Sequence, residues 1–321
     1  MDICHPKVYP KTYSGWFYKA GDTKMTRALI IGYGRAGRRH GATLDKLGIK
    51  WDYYDPYVPI GAFPKEPGHI YTKVEELKGS YDFAVICTPP NLHLDQIRTC
   101  LDAGIPILCE KPLCALGQLE EAEALLTHPL AHRVMMAFNF RFHPILVAIK
   151  RQQEKWEQLG GQWACFSDQH RTDIPEWGLL LDHVSHSVDI LLWLSGSDTL
   201  EIRQATHSRN ESMEVWFMDG TIPQGDSHPN FNIWESVRKA EVNTKVKRGV
   251  VPKRAWVSGP FGNVEVAAQD QEQEAEIRKQ MMNNMYKVFL AHLEGSGGFP
   301  ICLEDGVRVQ RVLEKVMEVA K

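Results

Sequence analysis

Lys111 is a candidate catalytic residue. It lies between Glu110 and Pro112, directly after the apolar run Ile105 to Cys109. A lysine at a strand end that is followed by proline is held by a rigid backbone. That placement suits a positive charge aimed at a substrate hydroxyl or carbonyl. The spacing alone favours the alternative, a solvated lysine beside a turn proline.

A polar stripe interrupts the apolar segment Leu179 to Leu194. Its members Asp182, His186 and Asp189 are spaced i, i+4 and i+7, so on a helix they share one face. Buried polar groups cost free energy unless they are partnered, so the stripe must satisfy itself or face a cleft. A carboxylate that orients a histidine gives a proton donor or acceptor near neutral pH. A core aspartate–histidine hydrogen bond is the structural alternative.

His183 lies beside this stripe and, with Asp182 and His186, could begin a metal site. No further ligand follows at a recognisable spacing. We therefore predict no metal, and we assign His183 to the substrate-binding residues.

A glycine-rich turn, Gly32-Tyr33-Gly34-Arg35-Ala36-Gly37, follows the buried run Ala28 to Ile31. The first glycine permits the tight turn, the second lets the backbone approach a pyrophosphate, and the third lets the next helix pack closely on its strand. That helix points its free N–H groups at the phosphates. An ordinary strand-to-helix turn explains the same glycines equally well when the motif is taken alone.

A second predicted strand ends at Tyr54 and leads to Asp55, a position suited to accept hydrogen bonds from the adenosine ribose. An acid there repels a 2′-phosphate, so we predict NAD rather than NADP. Asp55 before proline also reads as a turn starter, and Arg38 or Arg39 could meet a phosphate instead.

Further candidates follow later strands, because ligands of parallel sheets bind beyond the carboxyl ends of the strands. Thr88, Pro89 and His93 come after one predicted strand, and Asn139 and Arg141 come after another. Arg141 could fork onto a carboxylate or phosphate of a ligand. An ion pair at the domain junction is an equal alternative.

Two patterns of elements position these residues. From Arg27 to Asn139 short apolar runs alternate with helical stretches, which predicts a parallel sheet with helices on both faces. From Thr199 to Ala268 the chain is rich in strands and turn signals, which predicts a largely antiparallel open sheet. The predicted strands are Ala28 to Ile31, Lys50 to Tyr54, His69 to Thr72, Phe83 to Cys87, Ile105 to Cys109, Arg133 to Phe138, Gln162 to His170, Leu200 to His207, Met213 to Phe217, Phe231 to Trp234, Ala240 to Val246 and Ala255 to Val257. The predicted helices include Arg38 to Leu47, Leu92 to Ala103, Pro144 to Leu159, Leu179 to Leu194, Gln269 to Leu293 and Glu304 to Ala320.

The chain of 321 residues is long enough for two domains with their own cores. We predict an N-terminal extension at 1–24, a dinucleotide-binding domain at 25–144, a substrate and oligomerisation domain at 145–303, and a C-terminal helix at 304–321 that packs back on the first domain. A net charge of −3 gives no basic excess for nucleic acid, and no apolar run approaches the roughly 20 residues that span a bilayer. The seven cysteines are scattered without a C-x-x-C pair, which predicts reduced thiols in the cytoplasm.

Taken together, three motifs resemble the Gfo/Idh/MocA family of NAD(P)-dependent oxidoreductases: Gly32-x-Gly34-x-x-Gly37-x-x-His40, Glu110-Lys111-Pro112 and Asp182-x-x-x-His186. The Glu-Lys-Pro motif is the most specific, and it overturns the solvated reading of the lysine. The resemblance covers nearly the whole chain from Met25 onward. Many members carry a glycine run before the aspartate helix, whereas only Gly178 stands here, which puts the substrate in doubt more than the chemistry.

The resemblance implies an α/β fold with an N-terminal Rossmann domain and a C-terminal α+β domain built on an open, mostly antiparallel sheet. It implies that Lys111 lies near the oxygen of the reacting carbon and that Asp182 and His186 form the acid/base pair. We predict NAD-dependent oxidation or reduction of a secondary alcohol or ketone on a sugar, nucleotide sugar or cyclic polyol. The alternatives are glycosidic cleavage by transient oxidation and a dinucleotide-sensing regulator without turnover.

We expect a homodimer or homotetramer formed through the C-terminal sheet, with a sugar-like small molecule as substrate and neither nucleic acid nor membrane as partner. The predicted catalytic residues are Lys111, Asp182 and His186. The predicted cofactor-binding residues are Gly32, Tyr33, Gly34, Arg35, Ala36, Gly37, Asp55, Thr88, Pro89, His93, Glu110 and Lys111. The predicted substrate-binding residues are Lys111, Asn139, Arg141, Asp182, His183 and His186.

Overall fold

The computed structural model describes residues 27–57, 79–152, 162–171, 177–224, 228–239, 254–266, 270–293 and 298–320. The predicted extension 1–24 and the predicted strands His69 to Thr72 and Ala240 to Val246 lie outside the described residues. The chain forms two compact units. One contains the residues up to Phe138 together with Asn283–Val307, and the other contains Asn139–Met282 together with the residues from Arg308 onward. The predicted domain limits stay a prediction.

The first unit is built on a parallel sheet. Its strands are β1 Arg27–Ile31, β2 Lys50–Tyr54, β3 Phe83–Ile86, β4 Ile107–Cys109 and β5 Val134–Met136. Their order is β2-β1-β3-β4-β5, and all neighbouring strands are parallel. The apolar side chains of β1 and β3 are buried on both faces of the sheet, as expected where helices cover both faces. The predicted parallel α/β fold is confirmed.

Three helices of this unit follow its strands: α1 Arg35–Lys46, α2 His93–Asp102 and α3 Leu119–Leu125. α1 begins at Arg35 rather than at the predicted Arg38, because Gly34 already stands in extended backbone as the residue before the first turn. α3 lies outside every predicted helix, since its seven residues are too few to give a periodic pattern.

The second unit contains an open sheet among its described residues. Its strands are β6 Trp163–Arg171, β7 Glu201–Arg209, β8 Met213–Thr221, β9 Asn230–Lys239, β10 Arg254–Gly259 and β11 Gly262–Glu265. The order is β11-β10-β6-β9-β8-β7, and only β6 and β9 are parallel neighbours. The predicted mostly antiparallel sheet is confirmed. β9 runs past its predicted end at Trp234, so that Glu235 belongs to the strand.

The helices of the second unit include α4 Pro144–Lys150 and a longer segment that packs on the sheet. This segment consists of a π-helical turn, Leu180–Val184, followed by α5 Ser185–Ser195. Every residue of α5 is buried, and the helix ends at Gly196 with a φ of +74°. The C-terminal part of the chain adds α6 Gln271–Leu293 and α7 Leu303–Val319.

The cysteines are mostly free thiols within the apolar core. Cys87, Cys100, Cys109, Cys114 and Cys165 are free, whereas Cys302 is disulfide-bonded. Burial raises the pKa of Cys100 to about 12, so this thiol stays protonated. The expectation of reduced thiols is confirmed for five cysteines and wrong for Cys302. The cytoplasmic location stays a prediction.

Among the described helices, none is both long enough and apolar enough to span a bilayer.

Candidate active site

The glycine turn after β1 forms a cradle with no room for side chains at two of its three glycines. Gly32 has a φ of +89°, and a Cβ there would lie 2.7 Å from the backbone nitrogen of Thr88. A Cβ on Gly37 would lie 2.2 Å from the carbonyl oxygen of Gly32, so α1 packs directly on the turn. A Cβ on Gly34 would meet nothing within 4 Å in the described structure. The open space therefore lies at the glycine expected to approach a pyrophosphate.

Asp55 closes the same turn from the end of β2. Its Oδ2 accepts a hydrogen bond from the Tyr33 N–H at 2.8 Å, and its Oδ1 accepts one from the Tyr57 N–H at 2.9 Å. A carboxylate offers about four acceptor positions, so the half-buried Asp55 keeps capacity for a ribose hydroxyl. Arg35 is exposed in the first turn of α1, and Ala36 beside it is half-buried. The residues of the turn thus fit a dinucleotide.

Lys111 follows β4, is half-buried and is joined to Pro112 by a cis peptide bond. Its backbone N–H donates to Oε2 of Glu110 at 3.3 Å. The other carboxylate oxygen, Oε1, lies 3.2 Å from Nε2 of the fully buried His40 on α1. Burial alone would raise the pKa of Glu110, but the hydrogen bond and charge of His40, with the charges of Arg39 and Lys111, lower it to about 2. Glu110 is therefore an anion beside the lysine.

His93 opens α2 and is buried between two loops. Its Nδ1 lies 2.9 Å from the carbonyl oxygen of Pro112, and its Nε2 lies 2.8 Å from that of Thr88. Thr88 is half-buried and its hydroxyl donates to Oε1 of Gln96 at 2.6 Å, while Pro89 is exposed. Both ring nitrogens of His93 thus lie within hydrogen-bond distance of backbone carbonyl oxygens, and the neutral ring donates to one of them at a time. Its predicted contact with the cofactor stays a prediction.

In the second unit, the predicted polar stripe does not lie on one regular α-helix. Asp182 lies in the π-helical turn, whereas His186 and Asp189 lie in α5. A π-helical turn follows i→i+5 hydrogen bonds, so the i, i+4, i+7 face predicted for an α-helix does not hold across it. Asp182 is half-buried, and His186 and Asp189 are buried. The acid/base pairing of Asp182 with His186 stays a prediction.

The His186 ring lies among other rings. It packs edge-on against Phe140 at a centroid distance of 4.7 Å and against His183 at 5.7 Å. Nδ1 of His183 lies 3.4 Å from Oε2 of Glu235, a buried carboxylate on β9. The hydroxyl of Ser187 donates to Oε1 of the same carboxylate. A buried carboxylate therefore lies within ion-pair distance of His183, which sequence reasoning did not predict.

Arg141 is buried and forks onto a carboxylate of its own unit. Its Nε donates to the Asp189 oxygens at 3.0 and 3.2 Å, and its Nη2 donates to Oδ1 at 2.6 Å. The guanidinium is thus engaged with Asp189 and withdrawn from solvent, and the predicted contact of Arg141 with substrate stays a prediction. Asn139 is half-buried, and its Oδ1 has no hydrogen-bond partner among the described residues. That oxygen is buried, and the predicted contact of Asn139 with substrate stays a prediction.

A second buried carboxylate, Glu214 on β8, holds the start of the helical segment. Its Oε1 accepts hydrogen bonds from the Leu179 N–H at 3.0 Å and from the Trp216 indole at 3.1 Å. Sequence reasoning missed Glu214, Glu235, His40 and Tyr286, whose hydroxyl lies 2.7 Å from Nδ1 of His40. Only His40 carried a signal, as the last residue of the glycine motif. Within the described residues, no group of three His, Cys, Asp or Glu side chains could hold a metal ion.

Comparison with known proteins adds the family. Residues 26–140 match the model described as "Oxidoreductase family, NAD-binding Rossmann fold", the Gfo/Idh/MocA family. Through this domain, the chain is similar to the Gfo/Idh/MocA family. The resemblance predicted from the three motifs is confirmed, and so is the Rossmann fold of the first unit.

The chain is 28% identical to the inositol 2-dehydrogenase of Corynebacterium glutamicum strain R over 202 residues, which are 56% of this chain and 57% of that protein. The match thus spans little more than half of that relative's length. The fold of this chain resembles that of a myo-inositol dehydrogenase of Corynebacterium glutamicum, with a TM-score of 0.71 and 19% identity over 92% of this chain and 97% of the other. It also resembles the WlbA (WbpB) dehydrogenase of Thermus thermophilus, solved with NAD and UDP-GlcNAcA, with a TM-score of 0.63 and 20% identity over 90% of this chain and 94% of the other.

Proposed function

We propose that the protein is an NAD-dependent oxidoreductase that interconverts a secondary alcohol and a ketone on a cyclic polyol or sugar. One observation carries this proposal. The glycine turn follows β1, Thr88 follows β3 and Lys111 follows β4, and these are successive parallel strands of one sheet. Their carboxyl ends lie at the same edge, where ligands of such sheets bind. A dinucleotide cradle and a lysine therefore share one edge.

The residues divide the chemistry among them. When bound, NAD supplies the acceptor for a hydride. Lys111 donates a hydrogen bond to the substrate oxygen and stabilises the negative charge that develops there. His186 takes the hydroxyl proton, and Asp182 sets its tautomer. His183, which lies beside Glu235, and Asn139 are the further residues proposed to contact substrate hydroxyls.

The relatives support the substrate class. One is named an inositol 2-dehydrogenase and another was solved with a nucleotide sugar, so both a cyclic polyol and a sugar stand among their ligands. We place the cyclic polyol first, because inositol 2-dehydrogenases are among the relatives found by sequence. Asp55 supports NAD over NADP, since its carboxylate would repel a 2′-phosphate.

Absorbance of NADH tests the proposal directly. The purified protein is incubated with NAD and with myo-inositol, other cyclic polyols, aldoses or UDP-linked sugars, one at a time. NADH accumulation with a polyol or sugar supports the proposal. Release of free sugar without net NADH points instead to a glycosidase. NAD binding without hydride transfer to any of these compounds overturns the proposal in favour of a sensor.

We also propose that the protein forms a homodimer or homotetramer through the outer face of the second sheet. Aromatic rings cross this face from strand to strand, with centroid distances of 6.4 Å from Phe217 to Trp234, 6.2 Å from Trp234 to Phe166 and 4.9 Å from Phe166 to Trp256. Trp234 is 46% exposed in the single chain. Light scattering of a Trp234→Ser variant should show a lower mass than wild type. Trp177→Ser, at another exposed tryptophan, is the matched control.

A further inference from the structure

Two buried histidines approach the residues on either side of Lys111. His40 comes from α1 and reaches Glu110, the residue before the lysine. His93 comes from the start of α2 and reaches Pro112, the residue after it. Both ring nitrogens of each histidine lie close to polar atoms. The two rings therefore do more than fill space in the apolar core. The arrangement points to a role in holding the lysine.

The His40 side of this arrangement is a chain of three polar side chains. The Tyr286 hydroxyl lies 2.7 Å from Nδ1 of His40, and Nε2 of His40 lies 3.2 Å from Glu110. His40 and Tyr286 are fully buried, so water does not compete for these bonds. Glu110 in turn accepts the backbone N–H of Lys111. Its low pKa of about 2 keeps it an acceptor at every physiological pH.

The His93 side joins two loops that follow neighbouring strands. Its Nδ1 faces the carbonyl oxygen of Pro112, and its Nε2 faces that of Thr88, after β3. Burial lowers the pKa of His93, and the hydrogen bonds to these carbonyls oppose that effect. The loop that carries Lys111 is thereby tied to the loop that follows β3, next to the glycine turn.

We infer that His40 and His93 are positioning residues that fix the backbone of Lys111 by holding Glu110 on one side and Pro112 on the other. A lysine side chain is long and flexible, so its ammonium is placed accurately only if its backbone is fixed. A displacement of about 1 Å in such a group costs as much as a hundredfold in rate. The kinetic consequence rests on the proposed function, whereas the placement of the lysine does not.

Replacing each histidine by asparagine or by glutamine tests its two hydrogen bonds one at a time. The amide nitrogen of asparagine reaches the position of Nδ1, and that of glutamine reaches the position of Nε2. His40→Gln therefore keeps the bond to Glu110, and His40→Asn loses it. His93→Asn keeps the bond to Pro112, and His93→Gln loses it. We therefore expect glutamine to be the milder substitution at His40 and asparagine to be the milder one at His93. A purely structural role of the histidines gives no reason for this reversal.

The kinetic experiment compares these four variants with wild type. We expect kcat to fall about 10- to 100-fold in His40→Asn and His93→Gln, and markedly less in His40→Gln and His93→Asn, with unchanged NAD affinity of the two His40 variants by calorimetry. His128→Asn is the control, because His128 is a partly exposed histidine of the same unit that pairs with Asp102. The same order at both sites, or equal kcat in all variants, overturns the inference.

A second experiment needs no turnover. The folded proteins, with NAD bound, are treated briefly with limiting acetic anhydride, and acetylation of Lys111 is measured by mass spectrometry relative to the exposed Lys46 on α1. We expect the relative rate at Lys111 to change at least about threefold in His40→Asn and His93→Gln, but not in His128→Asn. An unchanged rate overturns the inference even if the protein proves not to be a dehydrogenase. If the histidine variants fail to fold, Tyr286→Phe, which removes only a hydroxyl, should still change the relative acetylation rate of Lys111. No change in that variant overturns the inference.

Discussion

The two units hold their chemically important side chains in different ways. In the first unit, Lys111 lies on a loop, and buried histidines tie that loop to its neighbours. In the second unit, His183 and His186 lie on a helical segment, and buried carboxylates of the sheet hold that segment, with Glu214 at its start and Glu235 near its middle. Loop residues lie beyond the ends of the strands, where the sheet no longer supports them, so contacts with other loops must hold them in place. Helix residues already have a rigid backbone, and only the helix needs anchoring.

The difference also concerns charge. The contacts on either side of Lys111 involve one carboxylate, Glu110, and several backbone carbonyls. The contacts of the second segment rest on full charges taken out of water, above all the Arg141–Asp189 pair. Removing one charge from such a pair leaves the other unpaired in the interior. The second unit should therefore be the more sensitive of the two to loss of a single charge.

The largest expected effect comes from the lysine itself. Lys111→Ala should lower kcat about 10²- to 10⁴-fold, because the substrate oxygen loses its charged donor. The melting temperature should stay near that of wild type, since the lysine is only half-buried. Turnover of the best polyol and thermal unfolding provide the measurements. Lys46→Ala on α1 is the control, and full turnover in Lys111→Ala would contradict the assignment.

The buried ion pair of the second unit tests the comparison of charges. Asp189→Asn should lower the free energy of unfolding by about 3–5 kcal/mol, because Arg141 is then left charged and buried. The double variant Arg141→Met with Asp189→Leu should recover much of that loss, since no unpaired charge remains. Urea unfolding of the two proteins gives both values. A double variant no more stable than Asp189→Asn would show that the pair acts through its shape rather than its charge.

Glu110 gives the corresponding pH test in the first unit. Its pKa lies at about 2 in the fold against an ordinary 4.5, so the folded state favours the carboxylate. The resulting stability, of order 3 kcal/mol, is present above pH 4.5 and is lost as the pH falls from about 4.5 to about 2. Glu110→Gln lacks this contribution. The difference in unfolding free energy between wild type and Glu110→Gln should therefore shrink over that range, and a constant difference would speak against the assigned ion pairing.

The smallest effect separates two glycines of the same turn. Gly37→Ala should cost about 1–3 kcal/mol of stability, because its Cβ would lie 2.2 Å from the Gly32 carbonyl oxygen. Gly34→Ala should leave stability unchanged, since its Cβ meets open space, but should weaken NAD binding because that space is where the pyrophosphate approaches. Thermal unfolding and NAD titration distinguish the two effects. Equal NAD affinity in Gly34→Ala and wild type would remove the cofactor from this turn.

More of the first unit than of the second could be predicted from the sequence. The glycine turn and Lys111 could be placed because residues that follow parallel strands must meet at one edge. The partner of Arg141 stayed open, because Asp189 lies far along the chain and no local pattern pairs them. Asp182 was placed on the wrong kind of helix, since periodicity assumes 3.6 residues per turn and cannot reveal a π-helical turn. Glu235 was missed because the predicted strand stopped one residue before it.

The π-helical turn Leu180–Val184 has a consequence for how this segment can vary among related chains. Such a turn closes its hydrogen bonds over one more residue than an α-helix does, so it behaves as a one-residue insertion absorbed in place. Deleting a single residue there would restore a regular α-helix and rotate everything before it by about 100° relative to α5. Asp182 would then point in a new direction while His186 stayed where it is. Insertion or deletion of one residue can thus redirect a carboxylate among related chains without any change of side chain.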